Sequence, residues 1–185
     1  MKSMKFLPVF FLALLTSCSN DDNGPVNEEE VITTATITLT PQAGGTSIVM
    51  TSRDLDGDGP DAPVITVSGN LNDNTVYNGS ITLLNETVSP AEDITEEVEE
   101  EAQDHQFFYS ATNSIGTAAY AAPFDTDGNP VGVNFTFTTT NPASGNLTVV
   151  LRHQPDKSAS GVAGGDITNA GGETDVQVTF PVIVE

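Results

Sequence analysis

The feature that most constrains this chain is a period-two alternation of apolar and polar residues, clearest in VGVNFTFTTT (131 to 140) and TDVQVTFPVIVE (174 to 185). In the first, Val133, Phe135 and Phe137 share one face and Asn134, Thr136 and Thr138 the other. In the second, Val176, Val178, Phe180, Val182 and Val184 align. Only an extended strand puts every second side chain on one side, so these segments read as half-buried strands. VITTATITLT (31 to 40), TSIVMTSR (46 to 53), PVITVSG (63 to 69), TVYNGSITLLN (75 to 85), HQFFYSAT (105 to 112) and NLTVVLRH (146 to 153) carry weaker versions. Gly, Asn, Asp and Pro separate them at short intervals, as antiparallel hairpins require. Residues 31 to 185 suffice for one domain with a core. The expected fold is an all-β, single antiparallel β-sandwich of immunoglobulin-like type, with a lipocalin-like barrel as the alternative.

One segment departs from this pattern. SPAEDITEEVEEEAQD (89 to 104) opens with Ser89 as a helix cap, Pro90 in the first turn and Glu92 completing a capping box. Ile94, Val98 and Ala102 recur at spacing four, a narrow apolar stripe suited to lying on a sandwich. The expectation is an inserted acidic helix of about four turns over 89 to 104. Acids near its start favour the helix dipole; those in the last turn oppose it, and like charges one turn apart each cost roughly 0.2–0.5 kcal/mol. Residues 155 to 173 are Gly-rich without apolar periodicity and read as a long loop.

The first residues, MKSMKFLPVFFLALLTSC, combine Lys2 and Lys5 with a short apolar run, so residues 1 to 17 read as a signal peptide. The run is too short for a permanent span. Leu15-Thr16-Ser17-Cys18 resembles a bacterial lipobox, which makes Cys18 the lipidated first residue of the mature chain. Cys18 is the only cysteine, so no disulfide forms within the chain. The competing reading is an ordinary secretory signal with a stray cysteine. SNDDNGPVNEEE follows, and residues 18 to 30 read as a lipidated cysteine and a flexible acidic tether. The acidic patch also resembles the surface-export signal of Bacteroidota lipoproteins.

The chain has 26 Asp and Glu against five Lys and Arg, a formal charge of -21. Beyond Cys18 the basic residues are Arg53, Arg152 and Lys157 alone. Such a field repels a phosphate backbone, which excludes nucleic acid as a partner and favours cations. Solubility alone is the competing explanation.

Two constellations suit a cation. Glu97, Glu101 and His105 are spaced four apart, one face of a helix, with Asp104 adjacent. His105 shares strand parity with Phe107 and Tyr109, and His153 with Leu147, Val149 and Leu151, so both histidines face inward. The start of one antiparallel strand lies beside the end of its neighbour, which lets them meet at one pole. Glu97, Glu101, Asp104, His105 and His153 are therefore the candidate ligands of a divalent metal, zinc or copper; an exposed acidic helix with two unrelated histidines is the alternative. Asp54, Asp56 and Asp58 in RDLDGDGPDAP imitate the first half of an EF-hand loop, but Ile65 stands where that loop needs its bidentate Glu. A calcium turn of another kind is what remains. Asp125, Asp127 and Asn129 in FDTDGNP read as an ordinary turn. No G-x-S-x-G, H-E-x-x-H or phosphate-binding glycine motif occurs, so no enzymatic activity is expected.

The lipobox, the acidic tether, NEEEVITTATITLTP, SRDLDGDGPDAPVITVSG, EDITEEVEEEAQDHQFFY and the LRHQPDKSASG to GGETDVQVTF end together resemble small flavobacterial (Bacteroidota) lipoproteins, a group without an activity to carry over. Some members bear a type 1 periplasmic binding fold label, which the strand pattern does not support, since such folds alternate strands and helices over a greater length. The resemblance implies a lipid-anchored protein of the outer membrane, on its periplasmic or cell-surface face, with an outer-membrane receptor as partner. The leading expectation is a non-enzymatic ligand-binding or metal-binding accessory to outer-membrane uptake. The alternative is a structural or adhesive surface module.

Overall fold

The computed structural model describes residues 30 to 57 and 59 to 185. Cys18, the signal peptide, the tether up to residue 29 and Asp58 lie outside the described residues. Ten strands form in chain order: β1 (Thr34–Pro41), β2 (Ile48–Arg53), β3 (Val64–Val67), β4 (Val76–Asn85), β5 (Glu92–Asp93), β6 (His105–Ala111), β7 (Gly116–Tyr120), β8 (Asn134–Thr139), β9 (Ala143–His153) and β10 (Glu173–Val184), with the helix α1 (Ile94–Glu100) between β5 and β6. They make two antiparallel sheets, one ordered β3-β2-β1-β4-β8-β7 with β5 beside β4, the other β10-β9-β6. The sheets do not close on each other, so the chain is a β-sandwich and the barrel alternative is wrong.

Alternation puts the core between the sheets. Ala35, Ile37, Leu39, Ile81, Leu83, Phe135 and Phe137 point inward from the larger sheet, and Phe107, Leu147, Val149, Leu151, Phe180, Val182 and Val184 from the smaller. Gly79 faces inward too, because a Cβ there would sit 2.5 Å from the Phe135 ring. Leu71 closes one end, accepting from Glu185 N–H and donating its own N–H to the Ile183 carbonyl, which ties the end of β10 to the larger sheet.

The acidic helix is shorter than the sequence predicts. Glu92 and Asp93, expected inside its first turn, instead pair with Asn85 and Leu84 as β5. Asp93 then caps α1, accepting from Thr95 N–H at 2.9 Å, in place of Ser89. Ile94 and Val98 are buried and Ala102 packs against the core, so the apolar stripe lies where expected. The helix stops at Glu100, and 101 to 104 are turns, where clustered acids would oppose the dipole and one another.

The long loop after β9 is not free chain. It forms two single-turn 3-10 helices, Val162–Gly164 and Ile167–Asn169. Val162, Ala170, Ala159 and Ile167 cover Phe108 and Val150 on the outer face of the smaller sheet. The start of β6 is therefore buried on both faces, as is β9 at Val150, and His105, Gln106, Phe107 and Phe108 are all inaccessible. Lys157 pins this cover by donating to Pro130 O at 3.1 Å, to Ala102 O and to Asp125 Oδ2 at 3.2 Å.

Candidate metal centre

β6 begins with His105 and β9 ends with His153, and the two are direct partners across the ladder. Both side chains take the inward parity and their rings stack, with centroids 4.7 Å apart and planes at 22°. Two carboxylates complete the group. His105 Nε2 lies 3.1 Å from Glu30 Oε1 and 3.8 Å from Asp175 Oδ2, while His153 Nδ1 lies 3.9 Å from Asp175 Oδ1. One ligating atom from each of Glu30, His105, His153 and Asp175 falls within 4.8 Å of all the others. The four side chains are between 0% and 6% exposed.

Asp175 reaches this group through a backbone irregularity. Thr174 pairs with Arg152 and Val176 with Leu151, leaving Asp175 as the extra residue of a β-bulge. A bulge puts two residues against one partner and re-aims a side chain. Strict alternation would send Asp175 outward with Gln177 and Thr179; the bulge brings it to the histidines. Just before it, Gly172 adopts φ +68°, and a Cβ there would lie 2.2 Å from the His153 carbonyl. Only glycine lets the loop return this closely to the end of β9.

The tautomer of His105 follows from its second nitrogen. Nδ1 lies 3.3 Å from the Glu101 carbonyl, which can only accept, so a bond there makes Nδ1 the protonated nitrogen. In the neutral ring Nε2 then offers its lone pair to the centre, the arrangement that a metal-ligating histidine adopts when a carbonyl holds its other nitrogen. A small cavity of about 100 Å³ is lined by Glu30 and Asp175 of the group together with Glu173 and Thr174.

The predicted ligands divide. His105 and His153 are brought together. Glu97, Glu101 and Asp104 are exposed and lie outside the four-residue group. Their spacing assumed one helix through residue 105, but α1 ends at Glu100 and His105 starts a strand. Glu101 Oε2 stays 3.9 Å from His105 Nδ1, so this residue borders the group, chiefly through its carbonyl. Glu97 feels the group electrostatically: desolvation first, then the charges of Glu30 and its acidic neighbours, push its carboxyl up. Asp104 accepts from Gln154 N–H through its backbone.

In the predicted calcium turn, Asp54 Oδ1 accepts from the N–H groups of Asp56 and Gly57, and Asp56 Oδ2 from Asp61 N–H at 3.3 Å, which are turn-forming bonds. Asp125 is likewise engaged, by Asp127 N–H, Asn129 N–H and the Lys157 ammonium. Comparison with protein-family models, with curated proteins and with solved structures finds no match for this chain.

The donor set can hold a cation. Two imidazoles and two carboxylates are the ligand types that four-coordinate zinc accepts, and two carboxylates balance a divalent charge. Arg53 pairs with Glu86, Lys157 with Asp125, and Arg152 donates through Nη1 to the Gly172 carbonyl.

Proposed function

We propose that this chain is a lipid-anchored, metal-binding β-sandwich that acts without catalysis as an accessory to outer-membrane uptake, taking zinc or copper at Glu30, His105, His153 and Asp175. The observation that carries the reading is the burial of two histidines with two carboxylates at one pole of the sandwich. Burying charge costs several kcal/mol unless it is compensated, and a divalent ion supplies compensation in one step. Four protein ligands suit a holding site; catalytic zinc keeps a position open for water. The lipobox at Cys18 supports the anchor, and the acidity of the whole chain supports cation capture over anion capture.

The test is a thermal melt with and without zinc, copper and calcium. A ligand at a hundred times its Kd and specific for the folded state adds about 2.7 kcal/mol. For a domain of this size that raises Tm by about 5–10 °C. His105→Ala and His153→Ala should each remove most of the shift. A calcium shift that survives both substitutions moves the site to the Asp54 and Asp56 turn. Absence of any shift leaves the structural or adhesive module as the function.

A further inference from the structure

Three of the four ligands of this centre are fixed by the sheet: His105 by β6, His153 by β9 and Asp175 by the bulge in β10. Glu30 is different. It precedes β1 and enters the group from the end of the acidic segment that leads to Cys18. Firm attachment of that segment starts at Ile32, which packs against the core, and at Thr33, whose N–H donates to Leu84 O at 2.9 Å and whose hydroxyl accepts from Glu86 N–H. Val31, between them and Glu30, is 54% exposed and forms no part of the core. Glu30 Oε2 is buried without a hydrogen bond, and Oε1 faces His105 Nε2 at 3.1 Å. A desolvated carboxylate with an unmet oxygen is costly, and the cost falls on the one ligand whose backbone can leave.

We infer that the bound cation works as a clasp on the N-terminal lead-in: with the ion present Glu30 is held at the pole, and without it Glu30 swings out about Val31 and frees the tether end. This rests on the metal-binding reading and adds a regulatory consequence to it. Cation availability then decides whether the tether leaves the domain from a fixed point beside β6, β9 and β10 or from Ile32, a change of about 7 Å for two extended residues.

Cleavage of the Glu30–Val31 bond by a glutamate-specific serine protease reads this directly, because Glu30 cannot enter the protease while it sits in the centre. The full mature chain in detergent micelles is digested after EDTA treatment and after loading with zinc, calorimetry establishes zinc binding in the same sample, and a reporter peptide confirms that zinc leaves the protease unaffected. At a hundred times Kd, the cut after Glu30 should slow by the ratio of zinc affinities of the closed and open states, about tenfold to a hundredfold, because the open state keeps three of the four ligands. His153→Ala, if folded by circular dichroism, should lose this protection; the EDTA and zinc comparison on the native sequence stands without it. Zinc binding with an unchanged cut rate overturns the clasp and leaves the metal site intact. No zinc binding overturns both.

Discussion

Among the described residues, the buried clusters around Lys157 and around His105 are built in opposite ways. Around Lys157 the chain supplies its own cation: the ammonium has three acceptors, and its partner Asp125 also receives two backbone N–H groups. Around His105 the chain supplies two carboxylates, which accept only, and two imidazoles, one of which gives its N–H to a backbone carbonyl. The first group is complete within the fold and ties a loop to a turn. The second gathers imidazole and carboxylate donors around one point, a set suited to a metal ion. What separates a structural ion pair from a candidate binding site here is therefore the donor set, an ammonium met by three oxygen acceptors against imidazoles and carboxylates converging on one point.

Breaking the first group should have the largest effect. Lys157→Met leaves Asp125 as an uncompensated buried charge and should cost about 3–5 kcal/mol in urea unfolding, with the cover over Phe108 and Val150 loosened. Adding Asp125→Asn should recover part of the loss. Zinc affinity should change little in either variant, and a parallel loss would show that the two groups are one.

Asp175→Asn addresses the second group and should weaken zinc binding at least tenfold by calorimetry, ~1.4 kcal/mol. It removes a charged ligand and keeps the bulge.

Acid separates the groups further. Burial alone would push the Asp125 carboxyl up, but the Asn129 N–H, the Lys157 ammonium and the Asp127 N–H together hold it below its ordinary value. A carboxylate depressed in the folded state adds stability above its unfolded pKa, near 3.9 for Asp, and that stability is lost as pH falls toward the folded value. The zinc gain should disappear sooner, because protons compete with the metal for its imidazole and carboxylate ligands together. Melts at pH 7, 5 and 3.5 should therefore lose the zinc increment first and the contribution of Asp125 later.

The exposed pair Arg53 and Glu86 marks the small end of the scale. A bidentate hydrogen bond from Arg53, then one from Thr34, lowers the Glu86 carboxyl to about 2. Carboxyl-detected NMR should find Arg53→Ala returning Glu86 toward the ordinary Glu range near 4.3, with little change in melting, as surface pairs generally show.

Alternation made the sandwich readable, and the same parity made the meeting of His105 and His153 readable. The rest was hidden for identifiable reasons. GTAAY at 116 to 120 sets Gly116, Ala118 and Ala119, residue types depleted in strands, around Thr117 and Tyr120, and pairing with β8 makes it a strand. Ser89, Pro90 and Glu92 imitate a capping box, but pairing with β4 claims Glu92 and Asp93 first. Asp175 is off parity until the bulge is known, and a lone Gly-Gly before a strand was its only trace. Glu30 carried no trace at all, since nothing in NEEE distinguishes a buried ligand from the last residue of a solvated tether.

X-ray absorption on zinc-loaded full-length protein is the sharpest check that the pole of β6, β9 and β10 holds one divalent ion through two imidazoles and two carboxylates. Zinc at this pole should give one ion per chain, a nitrogen and oxygen shell at about 2.0–2.2 Å without sulfur, and the outer-shell scattering of two imidazoles, falling to one in His153→Ala. A shell of oxygen alone, or a zinc whose imidazole scattering is the same in His153→Ala, would contradict it.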